Sequence, residues 1–362
     1  YCVQDSALCN LIIIKLEIVA NNIGMSNVCC VPLSYIFMRG QGVKIFSLVS
    51  KQCREDGILI PVLQKADEDC MDDGYEGAIV LTPDPGVYID EPISVMDYAS
   101  LYPSSMISEN ISHDSIVLNE EYNNLNGVEY VDITYDVYEG VGDKKHKVGD
   151  KTCRYAQFKN NEKGILPRIL QKLLKQRKST RKRITEKKVV TSDNEIYIGF
   201  EVPAEEEGTY ELFCNDENLV FEKEDIIRIE DAHNDFMKAV LDGLQLAYKV
   251  TANSLYGQVG ARTSPIYMKE LAASTTATGR RLILTAKKFM EDNYDTKVIY
   301  GDTDSIFVNF RLNEKEGLTG KEALKKSIEL SVKASGEFKK AHLKAPHELE
   351  YEKTFYPFVI LS

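Results

Sequence analysis

Two carboxylates stand two residues apart in the hexapeptide Tyr300-Gly301-Asp302-Thr303-Asp304-Ser305. Apolar runs flank it, Val298-Ile299 before and Ile306-Phe307-Val308 after, so it reads as the tip of a β-hairpin. Carboxylates held that close repel each other unless a cation joins them, so metal binding competes here with ordinary Asp turn chemistry. A further carboxylate, Asp97, ends an apolar run at residues 93 to 96 that reads as a strand, and Tyr98-Ala99-Ser100-Leu101-Tyr102-Pro103-Ser104 follows it. Pro103 suits the first position of a new helix, and a strand-end carboxylate beside a helix N-terminus can hold a metal and a phosphate together. In Lys249-Val250-Thr251-Ala252-Asn253-Ser254-Leu255-Tyr256-Gly257, helical spacing lines up Lys249, Asn253 and Tyr256. A cation for phosphate, an amide and a flat ring for a base describe a nucleotide site; an amphipathic helix with a core Tyr and a solvated Lys is the alternative.

In this order the three segments resemble motifs A, B and C of the B-family DNA polymerases: Asp-x-x-Ser-Leu-Tyr-Pro-Ser from Asp97, Lys-x-x-x-Asn-Ser-x-Tyr-Gly from Lys249, and Tyr-Gly-Asp-Thr-Asp-Ser from Tyr300. The segments Thr251-Ala252-Asn253-Ser254-Leu255-Tyr256-Gly257-Gln258 and Ala272-Ala273-Ser274-Thr275-Thr276-Ala277-Thr278-Gly279-Arg280 are similar to those of large double-stranded DNA viruses of eukaryotes. The cellular delta-type replicative polymerase is the next most similar. The resemblance implies a DNA-templated DNA polymerase that transfers a nucleotidyl group from a dNTP to a primer 3′-hydroxyl and releases pyrophosphate. It implies two Mg²⁺ ions, with Mn²⁺ as a substitute, on Asp97, Asp304 and the backbone carbonyl of Tyr98; Asp302 is a supporting carboxylate and Glu352 an accessory acid.

Further roles follow from the same resemblance. The N–H groups of Ser100, Leu101 and Tyr102, with Arg177, Arg181, Lys249 and Asn253, would hold the triphosphate. Tyr102 would exclude a 2′-hydroxyl. Tyr256 and Gly257 would face the nascent base pair, and Tyr75 and Gly77, in Tyr75-Glu76-Gly77-Ala78, the template. Tyr1-Cys2-Val3-Gln4-Asp5 resembles a third exonuclease motif, with Tyr1 orienting water and Asp5 ligating metal, but the two upstream carboxylate motifs of a proofreading site are not in the chain.

The elements that must position these residues make an α+β right-hand polymerase piece. Residues 1–64 read as the C-terminal remnant of a 3′–5′ exonuclease domain, with an acidic linker at 65–73. Residues 65–163 read as the first part of a palm with an antiparallel sheet, 164–260 as helical fingers, and 261–362 as the second part of the palm. Leu170, Leu173, Arg177, Arg181 and Ile184 recur at three- and four-residue steps, so an apolar stripe runs into two arginines on one inward face. A second fingers helix is expected at residues 236 to 256. Between the helices, residues 185–235 form an acidic, β-rich insertion with strands expected at 195–202 and 209–213, read as a solvated hairpin. Residues 119–160 carry no readable motif.

A net charge of −12 opposes DNA binding if it is spread evenly over the chain. Residues 190–235, however, hold 15 Asp and Glu against Lys223 and Arg228, a balance of −13, so the remainder of the chain carries +1. A phosphate-binding surface therefore remains available. Eight cysteines without a C-x-x-C spacing or a His cluster point to reduced thiols of an intracellular protein and away from zinc or a disulfide framework. The apolar stretch at 8–20 contains Lys15 and Glu17 and is too short for a bilayer, so an amphipathic helix is expected and no membrane partner. The chain opens on Tyr1 rather than Met and stops at Ser362 after an apolar run, 356–361, that reads as an unfinished strand; a longer protein with a thumb domain is expected. Primer–template DNA, dNTPs and a sliding clamp or other processivity factor are the expected partners. The host nucleus or a cytoplasmic viral replication compartment is the expected location. An RNA-templated polymerase would place two adjacent Asp after an aromatic, whereas Thr303 separates them here. A catalytically dead scaffold would have no chemical need for Asp97, Asp304, Lys249 and Tyr102.

Overall fold

The computed structural model describes residues 1–60, 74–140, 146–158, 160–204, 206, 208–214 and 216–361. The expected linker at 65–73 lies outside them. The chain divides into two compact units, Tyr1–Lys51 with Gln171–Ser254, and Gln52–Leu170 with Leu255–Ser362.

The second unit is built on a five-stranded antiparallel sheet in the order Leu349–Phe355, Ile93–Tyr98, Ser305–Asn309, Lys297–Asp302, Val80–Leu81. Strand residues alternate between faces. Met96, Tyr98, Ile306 and Val308 point into a core shared with Leu282, Ile283, Ala286 and Met290 of the helix Lys269–Tyr294 and with Ala334 and Phe338 of the helix Gly320–His342. Asp97, between Met96 and Tyr98, therefore falls on the opposite face. The strand Ile93–Tyr98 takes in the carboxylate rather than ending before it. The helix that follows, Leu101–Ser108, starts two residues earlier than expected. Pro103 still lies in its first turn, where a missing N–H costs no helical hydrogen bond.

Residues 119–160, unread from sequence, contain a long hairpin, Val128–Glu139 with His146–Phe158, and Gly74–Tyr75 pairs along its edge. The apolar run near the C-terminus forms the strand Phe358–Ile360, paired with Gly86–Tyr88.

In the first unit, the expected amphipathic helix at 8–20 is instead broken. Helices Cys2–Lys15 and Ile18–Cys29 meet at Glu17, whose φ is +48°. Ile12, Ile13 and Ile14 are consecutive, so they cannot share one face; the first helix buries no residue. Among the described residues no single helix is long and apolar enough to cross a membrane, and this pair, bent by 49°, reaches that only by length and composition. The two long helices expected between 164 and 260 are Ile165–Ile184 and Asp235–Gly260.

Between those helices lies more than a hairpin. Five antiparallel strands run Glu217–Glu222, Thr209–Cys214, Ile196–Val202, Lys187–Thr191, Ile226–Asp231 across one sheet. Its two edge strands are joined by the single 3₁₀ turn Lys223–Asp225, so the sheet must curl until its edges nearly meet. Val189, Tyr210 and Leu212 form its small core.

Candidate active site

Strand register brings the motif carboxylates together. Asp97 lies opposite Ser305, and the Tyr98 N–H donates to the Asp304 carbonyl at 2.8 Å. The turn itself is tight: Asp302 pairs with Ser305, Thr303 adopts φ +55°, and the Asp304 N–H reaches the Asp302 carbonyl at 2.6 Å. Thr303 also donates its N–H to the Ile79 carbonyl at 3.0 Å, which anchors the tip to the neighbouring chain. Asp97 and Asp304 are half-buried, whereas Asp302 is exposed and accepts from the Thr303 hydroxyl at 2.8 Å. Gly301 is required by space. A Cβ there would sit 2.8 Å from Leu81 Cδ1 and 3.1 Å from the Ser305 carbonyl oxygen.

On the other side of Asp97 the register places Glu350, not Glu352, directly opposite. Glu352 lies at the irregularity between Tyr351 and Lys353, exposed, with its carboxylate 3.1 Å from the Lys353 ammonium. A β-bulge there interrupts the pairing beyond Tyr351 and leaves Glu352 out of the ladder. Among the described residues no group of three or more His, Cys, Asp or Glu side chains is arranged to hold a metal. Two carboxylates and a backbone carbonyl fit Mg²⁺, which takes one or two protein carboxylates and fills its remaining octahedral positions with water and substrate phosphates.

After the strand, Ser100 takes the left-handed conformation at φ +54° and starts the helix Leu101–Ser108. The helix therefore has its N-cap three residues after Asp97, and its first N–H groups have no acceptor within the helix, the arrangement that suits an anion. Tyr98, fully buried, donates its hydroxyl to the Leu282 carbonyl at 2.9 Å and fixes the strand end. The ring of Tyr102 stacks on Tyr256, with centroids 4.4 Å apart and planes inclined by 29°. Burial, then the negative charge of Asp304, pushes the Tyr102 phenol up to about 12. The phenol of Tyr256 is raised further, first by burial and also by Tyr75, which hydrogen-bonds it. Gly257 is exposed one residue on.

One turn of the helix Lys269–Tyr294 supports this trio, which the sequence did not reveal. A Cβ at Gly279 would come within 3.1 Å of the Tyr102 ring and 3.3 Å of Leu101. Arg280 donates to the Gly77 carbonyl at 3.0 Å and pairs with the Glu76 carboxylate at 2.9 Å. Thr276 donates to the Glu76 carbonyl at 3.0 Å. The signal available was the run of small residues from Ala272 to Gly279, which permits close helix packing, followed at once by an arginine.

The first unit carries the expected cationic set. Arg177 is half-buried and its Nε lies 3.4 Å from Gln245 Oε1 of the helix Asp235–Gly260. Burial, then the charge of Arg181, pushes the Arg177 guanidinium below its ordinary value. A half-buried arginine beside a second one is a place that gains from a bound anion. The expectation that both arginines extend the inward stripe holds for Arg177 only: Thr180 takes the buried position, and Arg181 is exposed one residue further round. Lys249 and Asn253 are exposed on the helix Asp235–Gly260. Tyr1 and Asp5 are exposed on the first helical turn, joined only through the Asp5 N–H to the Tyr1 carbonyl at 2.9 Å.

The two-Asp hairpin, the strand carrying a third Asp and the tyrosine stack all lie within residues 31–197 and 223–362, which match the family model described as DNA polymerase family B. The chain belongs to that family. Over 364 residues it is 69% identical to a DNA polymerase of Pyramimonas orientalis virus, covering 100% of this chain and 30% of the viral protein. A DNA polymerase of Phaeocystis pouchetii virus is 37% identical over 99% of this chain and 34% of its own length. The DNA polymerase delta catalytic subunit of Glycine max is 31% identical over 100% of this chain and 27% of its own. The chain thus spans about a third of the length of the curated relatives it matches. The stretch 198–222, outside the family match, carries the strands Thr209–Cys214 and Glu217–Glu222 and most of Ile196–Val202 of the curled sheet.

Proposed function

We propose that this chain is the nucleotidyl-transferring part of a DNA-templated DNA polymerase that serves viral or cellular DNA replication. The observation that carries the reading is the register that sets Asp97 opposite Ser305, one residue from Asp304, on adjacent strands. The five-stranded sheet is then the palm. The long helices Ile165–Ile184 and Asp235–Gly260 are the fingers, and the N-terminal helices belong to a remnant of the exonuclease domain. Asp97, Asp304 and the Tyr98 carbonyl are the groups that would hold Mg²⁺, with Asp302 in support. When bound, the metal lowers the pKa of the primer hydroxyl and stabilises charge on the leaving oxygens.

The remaining work falls to the chain itself. The N–H groups at Ser100 to Tyr102 donate to phosphate oxygens, and Arg177, Arg181, Lys249 and Asn253 neutralise and orient the triphosphate. Phosphoryl chemistry depends on such placement more than on covalent help. Tyr102 excludes a 2′-hydroxyl, Tyr256 and Gly257 face the nascent pair, and Tyr75 and Gly77 face the template. Base pairing and shape supply sequence fidelity, since no residue here must read one base. Primer–template, dNTPs and a processivity factor are the partners, in the nucleus or a viral replication compartment. Single-turnover dNTP addition to a primer–template by the protein at its full natural length tests the reading. Template-directed extension is expected; DNA binding without any extension would instead make it a scaffold.

A further inference from the structure

We infer that Arg280 is a positioning residue for substrate sugar selection: it locks the Tyr75–Gly77 segment, and through Tyr75 and Tyr256 it sets where the Tyr102 ring stands. The inference rests on Tyr102 acting as the sugar gate in the proposed function. Its basis is a continuous chain of contacts within one unit. Tyr102 stacks on Tyr256 at 4.4 Å. Tyr75 hydrogen-bonds Tyr256. Tyr75 is in turn confined on three sides. Its strand is paired to Val137. Its hydroxyl lies 3.0 Å from where a Cβ on Gly260 would be, so the helix backbone backs it. The two residues after it are held by Arg280 and Thr276.

The charge arrangement explains why an arginine stands at this place. The side chain of Arg280 is only 12% exposed, yet one terminal nitrogen serves both the Glu76 carboxylate at 2.9 Å and the Gly77 carbonyl at 3.0 Å. A cation mostly withdrawn from water needs a paired, hydrogen-bonded site, and the planar guanidinium holds two acceptors in a fixed geometry that a lysine ammonium does not impose. Gly77 matters for the same reason. Its carbonyl is the acceptor, and open space surrounds the position of a Cβ there, so the glycine is not required by packing within this chain.

The neighbouring residue of the same helical turn completes the device. Gly279 leaves room for the Tyr102 ring at 3.1 Å, a separation at which any added methyl would push the ring. Residues 279 and 280 thus set the gate from two directions: one gives the ring its seat, and the other fixes the far end of the aromatic row. Loss of Arg280 should therefore loosen Tyr102 without touching Asp97 or Asp304.

The test compares kcat/KM for dNTP and for the matching rNTP in the full-length protein, for wild type, Tyr102→Ala, Arg280→Met, Arg280→Lys, Glu76→Gln and the double variant Arg280→Met/Tyr75→Phe. Arg280→Met is expected to lower the dNTP/rNTP ratio about tenfold, short of the roughly hundredfold that a full 1 Å misplacement can cost. Arg280→Lys should recover part of it. Glu76→Gln should shift the ratio in the same direction by less, and it carries the test if Arg280→Met fails to fold. The double variant should do little more than Arg280→Met, because both changes break one chain of contacts. If Tyr102→Ala changes the ratio while folded Arg280→Met and Glu76→Gln leave it at the wild-type value, this inference is overturned and the gate stands. If Tyr102→Ala itself leaves the ratio unchanged, the gate reading fails and the inference falls with it.

Discussion

Replacing Tyr102 by alanine separates a sugar gate from a core side chain, because the two roles predict opposite outcomes. The ring is half-buried, stacked on Tyr256 at 4.4 Å, and seated against Gly279. Truncating a fully buried aromatic costs about 3–5 kcal/mol, and an aromatic pair contributes about 0.5–1.5 of that kind of energy beyond area; for a half-buried ring about 2–3 kcal/mol of stability should be lost. That loss alone would depress dNTP and rNTP use equally. A gate adds a second effect. Forcing an extra hydroxyl against a packed ring is overpacking, worth about 1–3 kcal/mol, so removing the ring should lower the dNTP/rNTP ratio of kcat/KM by about 5- to 150-fold. Single-nucleotide incorporation with each substrate in turn, on the full-length protein, reads this ratio directly. Tyr102→Phe keeps the ring and should keep the ratio; with its pKa at about 12 the phenol is neutral at working pH, so its charge plays no part. An unchanged ratio in Tyr102→Ala, with only a lowered Tm, would refute the gate.

Arg177→Ala and Lys249→Ala should each cut kcat/KM for dNTP, since a hydrogen bond to a charged group contributes about 1.5–3 kcal/mol; unchanged dNTP dependence in both would remove them from the triphosphate site. Gly301→Ala should lower Tm and extension rate together, by about 1–3 kcal/mol in stability, because its Cβ has only 2.8 Å to Leu81; a variant indistinguishable by calorimetry and extension would contradict the packing argument. His347, buried beside Ser108 at 3.1 Å, is pushed down to about 4, chiefly by burial and then by Arg281 and Lys344. The unfolded chain therefore takes up a proton near pH 6.5 that the folded one refuses until about pH 4, so stability is full above that window and falls by about 2–3 kcal/mol as pH drops through it. Denaturant titrations at pH 7 and pH 4.5 should show that loss, and His347→Asn should flatten it; identical pH profiles would place the titration elsewhere.

Residue order carried the local elements better than it carried the packing. The Asp302–Asp304 hairpin, the strand before Ser100 and the two long helices were legible because apolar alternation and helical spacing are local signals. The partner of Asp97 was not. Glu350 faces Asp97 through cross-strand register, which no local pattern in the sequence carries. Nor was Arg280, whose role arises only when residues 76 and 280 meet across the fold. Arg181 misled for a geometric reason: at 100° per residue a step of four overshoots the stripe, and Thr180 takes the buried position instead. The acidic segment at 185–235 read as a hairpin because its two most apolar strands dominate the pattern, while Glu217–Glu222 and Ile226–Asp231 are too charged to announce themselves.

The central claim is that Asp97 and Asp304 together perform nucleotidyl transfer. Asp97→Asn and Asp304→Asn in the full-length protein, each assayed for single-turnover dNTP addition and for primer–template affinity, test it most directly. Removing a ligand to a metal that supplies several kcal/mol of transition-state stabilisation should slow addition by about 1,000-fold or more. DNA affinity should stay within about threefold of wild type, since duplex grip comes from phosphate contacts made by other groups. Near-wild-type addition in either variant would contradict the account.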